Sequence, residues 1–279
     1  MNYRHAFHAG NFADVLKHTA LVAVLRHLRT KETPFAVIDT HAGRAIYDLG
    51  GSEAGRTGEA GDGIGRLSSA KAPPPFLDDY LGLVREFGPA RYPGSPLIAA
   101  KLLREQDRLI AIERHPEECA ALAASLRRFP RARAIEGDGY AELLKLLPPP
   151  ERRAAVLIDP PYESEDEFRA AARALIAAHR RFSTGIYILW YPIKGRGEAE
   201  AAAGELLNAG IARLLRVELD VGVAPGEAPG QRLSATGLLV ANAPYGFSAG
   251  MESVAVFLAR VLGRGAGALG RVEHLAGAS

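Results

Sequence analysis

The chain has 279 residues, 48% of them hydrophobic, a formal net charge of +2 and a single cysteine, Cys119. That length and apolar content exclude a disordered polymer and suit one large domain with an insertion, while the near-neutral charge permits nucleic-acid binding without arguing for it. One cysteine excludes an internal disulfide and a Cys-rich zinc cluster, and no run of about 18 apolar residues is available to span a membrane.

In chain order, the N-terminal MNYRHAFHAGNFADVLKH lacks the uninterrupted apolar core of a signal peptide, so a cytoplasmic protein is expected. A helix is expected to begin near Asn11 and to close at Lys17 and His18, where cationic side chains suit a C-terminus. Seven apolar runs then read as strands: 35–43, 108–116, 131–139, 154–162, 184–192, 214–221 and 236–244. Helices fit between them at 95–106, 117–128, 140–147, 164–181 and 197–209, with another at 249–263. Alternation of this kind predicts an α/β protein with a mostly parallel, seven-stranded, Rossmann-like sheet. Residues 46–92 are too long for an ordinary βα connection, and FLDDYLGLVREF (76–87) within them is a good helix, so a helical insertion inside a single domain spanning 1–279 is expected. GDGIG (61–65) has no strand before it and is set aside as a dinucleotide turn. The Gly-rich tail from Gly263 reads as a loosely held terminus.

The first four strands end in Asp39, Glu113, Asp138 and Asp159. Open α/β sheets place ligands at the carboxyl ends of their strands, and an acid after the second strand can accept both hydroxyls of a ribose. Glu113 holds that place. The pyrophosphate cradle of a dinucleotide site is missing, because DTHAGRAIY offers only Gly43, and this disfavours a nicotinamide dehydrogenase. A nucleoside cofactor without phosphates fits better, and S-adenosylmethionine is one. Asp138 can accept from its adenine amino group, and Gly139 leaves room for the backbone to approach. Taken singly, Glu113 and Asp138 are ordinary solvated carboxylates; their joint spacing with Asp159 favours a site.

VLIDPPYES (156–164) carries the chemistry. Pro160 and Pro161 stop a buried strand and leave Asp159 in a rigid loop. DPPY resembles the [D/N/S]-P-P-[Y/F/W] signature of enzymes that methylate exocyclic amino groups. Such a nitrogen is a poor nucleophile because its lone pair is delocalised. Two acceptors, the Asp159 carboxylate and the Pro160 carbonyl, would favour the pyramidal nitrogen, and Asp159 is placed to take its proton. Tyr162 is expected to stack on the flipped base.

Longer blocks extend the likeness: YRHAFHAGNFADVLKH (3–18), DTHAG, RTGE (56–59), YPGSP (92–96), LREQD (103–107), ERHP (113–116), DPPYE (159–163) and TGIYILWYP (184–192). Together these resemble the bacterial 23S ribosomal RNA (adenine-N6)-methyltransferases of the RlmJ family. The resemblance implies a Rossmann-like fold with a helical insertion, S-adenosylmethionine as cofactor, and methylation of an adenine in a stem of the large-subunit RNA, with action on naked or early-assembly RNA. No membrane and no obligate protein partner are expected. It further implies cofactor contacts from His18, His41, Ser95, Glu113, Asp138 and Gly139, with Asp159 catalytic and Tyr3 meeting the RNA. His18, His41 and Ser95 rest on the resemblance alone; by position, His18 reads as a core or surface histidine and Ser95 as a helix N-cap. Zinc is disfavoured, since His5, His8 and His18 lack an H-E-x-x-H pattern. Arg4, Arg44, Arg56 and Arg66 are candidates for an RNA path. Two other readings stay open: a DNA adenine methyltransferase, and an RNA-binding assembly factor that keeps the fold without the catalysis.

Overall fold

A computed structural model describes residues 8–51, 58–164, 166–228 and 230–277. Its centre is a sheet of short apolar strands: β1 (Ala36–Asp39), β4 (Arg108–Glu113), β5 (Ala132–Glu136), β6 (Ala154–Ile158) and β7 (Ile186–Pro192), all parallel. β8 (Leu214–Asp220), β9 (Ala235–Ala241) and β10 (Leu269–Ala276) complete it through antiparallel pairings, in the order β10-β8-β9-β7-β6-β1-β4-β5. Beyond the sheet, β2 (Ile46–Asp48) and β3 (Arg91–Pro93) form a separate two-stranded ribbon.

Every residue of β1 and β6 is buried, as expected for strands covered by helices on both faces. Alternate side chains feed two cores. Val37 and Leu157 point toward α1 (Phe12–Leu28), α2 (Pro75–Arg85), α3 (Ser95–Leu102), α4 (Pro116–Leu126) and α8 (Phe247–Leu262). Ile38, Val156 and Ile158 point toward α5 (Gly139–Leu146), α6 (Glu167–Arg181) and α7 (Arg196–Asn208). The chain winds from β1 to β4 and β5 on one side, then returns to β6 and β7 on the other. The reversal at β1 opens a crevice beyond the strand ends, where such sheets bind ligands.

Three expectations change. The sheet has eight strands, because the tail after Gly263 is an ordered edge strand. LGRVEHLA pairs with β8, Arg271 bonds Glu218, and Gly270 passes so close to the Ala255 carbonyl that no Cβ would fit. Second, α1 does not close at Lys17 and His18. It runs on through TALVAVLRHL to Leu28, and 15 of its 17 residues are buried, so it is a core helix enclosed on nearly every side. Third, residues 46–92 contain more than helix. The β2–β3 ribbon brackets a π-helical turn at Gly61–Gly65 and α2, which lays Leu77, Tyr80 and Leu81 into the core containing α1.

Candidate active site

Three strand-end acids meet at one cavity of about 260 Å³, lined also by Lys17, His18, His41, Ser95, Gly139 and Pro161. Asp159 opens onto it immediately after β6. Its Oδ2 accepts from Lys17 Nζ at 2.5 Å, and the same ammonium reaches Asp14 Oδ1 at 2.8 Å. Lys17 is 3% exposed on its side chain and lies 5.6 Å from the centre of the Trp190 ring. Burial pulls the lysine pKa down, but Asp14 and Asp159 outweigh it and keep the group protonated.

Glu113 ends β4 with both oxygens engaged: Gly43 N–H donates to Oε2 at 2.8 Å and His115 N–H to Oε1 at 2.8 Å. These backbone donors fix the carboxylate while its remaining lone pairs face the cavity. Asp138 caps α5, accepting from Ala141 N–H at 3.0 Å. Gly139 follows, and a Cβ there would strike the Thr40 carbonyl, so its smallness first serves the approach of two loops. His41 takes a 2.7 Å hydrogen bond between Nδ1 and Thr40 Oγ1 and meets the Tyr140 ring edge-on at 5.0 Å. Burial lowers its pKa to about 4 against the pull of Asp159 and Asp138, so the imidazole is neutral at pH 7.

Behind the cavity, His18 Nδ1 lies 2.7 Å from Tyr92 Oη, which is 2.9 Å from Tyr80 Oη. A histidine in the second turn of α1 is thereby locked to Tyr92 at β3 and Tyr80 of α2. Ser95 is the first residue of α3, whose N-cap is Gly94; the residue is 5% exposed and lines the cavity. Asp39 lies deeper, 1% exposed, with neither carboxylate oxygen in a hydrogen bond of ordinary geometry. Burial pushes its pKa up to about 7, countered in part by the nearby Ser95 hydroxyl.

Tyr162 is expected to stack on a flipped base, and the structure shows what holds it. Its backbone is left-handed at φ 51°, its hydroxyl donates to the Trp190 carbonyl at 2.7 Å, and its ring is wedged against Phe168 and Trp190 at 4.5 and 5.5 Å. The ring therefore braces the loop; Pro161, not Tyr162, lines the cavity. Tyr3, Arg4, His5 and Arg56 lie outside the described residues. Arg44 forms a two-pronged pair with Glu118 at the cavity, and Arg66 donates to the Leu262 and Gly263 carbonyls. Lys17 and Asp14 escaped sequence reasoning as site residues. Their signal was present in DVLKHTALVAV, where a lysine inside an otherwise apolar helix must find a buried carboxylate.

An open sheet with a carboxylate-rimmed cavity at its point of reversal, and a D-P-P turn supplying one of those carboxylates, defines a Rossmann-like methyltransferase. Residues 32–274 match the family model described as Ribosomal RNA large subunit methyltransferase D, RlmJ, and the chain belongs to that family. It is similar to Ribosomal RNA large subunit methyltransferase J of Escherichia coli K12, 41% identical over 262 residues and 92% of both chains. It is also similar to the protein of the same name from Haemophilus influenzae, 36% identical over 94% of both. A crystal structure of a protein from Legionella pneumophila superposes with a TM-score of 0.85 at 32% identity, covering 98% of this chain and 99% of that one.

Proposed function

We propose that this chain methylates the N6 amino group of an adenine in 23S ribosomal RNA with S-adenosylmethionine as donor. The donor set fits that cofactor: Glu113 offers a fixed carboxylate for a ribose diol, Asp138 a second acceptor at the cavity for an adenine amine, and His18, His41, Ser95 and Gly139 complete the wall. When bound, the cofactor supplies an electrophilic methyl group.

The observation that carries the reading is Asp159, a carboxylate held by a buried ammonium at the mouth of that cavity in a proline-stiffened turn. Asp159 and the Pro160 carbonyl accept the two N–H groups of the adenine amine. This aligns the nitrogen lone pair with the cavity and excludes water from the face that reacts. Asp159 then accepts the proton the nitrogen sheds, and Lys17 stabilises the carboxylate before that transfer. Pro161 forms part of the wall the base slides past, while Tyr162 holds the turn rigid from behind.

We read residues 46–92 as an inserted subdomain of a single catalytic domain, and Tyr3 as an RNA contact. A cytoplasmic location and action on naked or early-assembly RNA, without an obligate protein partner, accord with this reading. Among the described residues no helix is long and apolar enough to cross a membrane. The test is methyl transfer to deproteinised 23S transcript and to duplex DNA, with mass-spectrometric mapping of the product. N6-methyladenine at one RNA position is expected; preference for DNA, or methylation of another base, overturns the assignment.

A further inference from the structure

The opposite end of the sheet carries a second charged cavity, of about 400 Å³, which the chemistry above leaves unused. It is gathered from four places far apart in sequence. The C-terminal end of α1 and its loop bring His27 and Lys31, and the turn before β6 brings Arg152 and Arg153. Arg213 precedes β8, and Tyr245 follows β9. None of Lys31, Arg152, Arg153 and Arg213 forms an ion pair with a described carboxylate. Of the nearby acids, Glu151 is paired with Arg108 and Asp107 with Arg104, and Glu32 faces solvent.

Two of these cations shape the cavity. Arg153 donates to the carbonyls of Leu28 and Thr33, and Arg213 to that of Ala243, tying three loops together. Lys31 and Arg152 are exposed and their side chains make no hydrogen bond among the described residues, and Arg152 is projected by a left-handed backbone at φ 57°. His27 feels the resulting field: burial first, then Arg153 and Lys31, lower its pKa. Beside the cations Tyr245 is 92% exposed, the most open large hydrophobic side chain described. A solvent-facing aromatic ring next to unpaired cations is the arrangement that takes a nucleotide, phosphate on the charges and base on the ring.

We propose that this cavity is a second RNA contact, binding the phosphate backbone through Lys31, Arg152 and Arg213 and stacking a base on Tyr245. The proposal rests on the reading that the substrate is RNA. β6 runs from Ala154 in this cavity to Ile158, one residue short of Asp159, so about five strand steps, or about 17 Å through the protein, separate the two sites. One nucleotide cannot occupy both. Because the two cavities open at opposite ends of the sheet, the second contact is assigned to RNA that flanks the stem presenting the target adenine and wraps around the domain. It raises affinity for long RNA and leaves the chemical step alone.

The test compares wild type with Lys31→Glu/Arg152→Glu and with Tyr245→Ala, assaying methyl transfer to a long 23S transcript and to a short stem-loop bearing the same adenine, from 50 to 200 mM salt. On the long transcript the double variant is expected to raise KM about tenfold with kcat unchanged, and to reduce the slope of log affinity against log salt by about 1.5 to 2. Tyr245→Ala is expected to raise KM about fivefold, with the salt slope unchanged. On the stem-loop both variants match wild type. Wild-type KM and salt slope for the variants on the long transcript overturn the proposal, as does equal weakening on both RNAs. If wild type methylates neither RNA, the functional reading fails instead, and filter binding of the long transcript still decides the cavity: equal retention of transcript by variants and wild type overturns it.

Discussion

Asp39 ends β1 and Asp159 follows the neighbouring parallel strand β6, both at the carboxyl end of the sheet, yet their surroundings differ. Asp159 has a lysine ammonium at 2.5 Å and opens on the cavity; Asp39 is buried without a cation in contact, and burial pushes its pKa up to about 7 against the nearby Ser95 hydroxyl. A strand-end carboxylate thus acquires its character from what packs across from it. Here that is α1, which delivers Lys17 to one acid and not to the other.

The most severe way to break the contrast is Asp159→Asn, which removes the proton acceptor while keeping the shape. A fall in kcat of about 10²- to 10⁴-fold is expected in single-turnover assays, with cofactor affinity by calorimetry nearly unchanged. Next comes Lys17→Met, which strands Asp14 and Asp159 as buried charges without their cation. It should cost about 3 to 5 kcal/mol of stability by urea unfolding at pH 7, and less at pH 5 where carboxylates protonate more readily.

Asp39→Asn sharpens the comparison through pH. An acid whose folded pKa lies above its unfolded value near 3.8 lets go of its proton sooner when unfolded. The native protein should therefore lose stability as pH rises from about 4 to about 7 and level off above, by about 3 kcal/mol or less. Asparagine should flatten that contribution; an unchanged slope in denaturant melts across the range would show that Asp39 is ionised and compensated. The smallest effect is expected from Tyr162→Phe, which gives up the bond to the Trp190 carbonyl for about 1 kcal/mol and leaves methyl transfer within a few-fold of wild type. Loss of activity on that change would show that the bond from the Tyr162 hydroxyl to the Trp190 carbonyl holds the catalytic turn in place.

What could be read in the residues was local chemistry. Acids at strand ends, a proline stop and a missing glycine cradle are all written within a few positions, so Glu113, Asp138 and Asp159 were visible before any coordinates. Lys17 was not, because its meaning depends on a residue 142 positions away. The bracing contacts of Tyr162 were not legible, because they come from Phe168 and Trp190 packing around the ring. The last strand was missed since its glycine-rich approach resembles a frayed end, while its ordering comes from pairing with β8 and from Arg271 reaching Glu218.

The burial of α1 also bears on how the molecule is made. Ribosomes extend a chain at about 5 to 20 residues per second, so roughly 7 to 30 s pass between the appearance of Lys17 and that of Asp159. Throughout that interval the nascent polypeptide carries a greasy segment bearing the Asp14 and Lys17 charges, while β6 and the turn that completes their ion pairing are still unmade. Catalytic competence therefore arrives late in synthesis, when the two distant stretches finally dock.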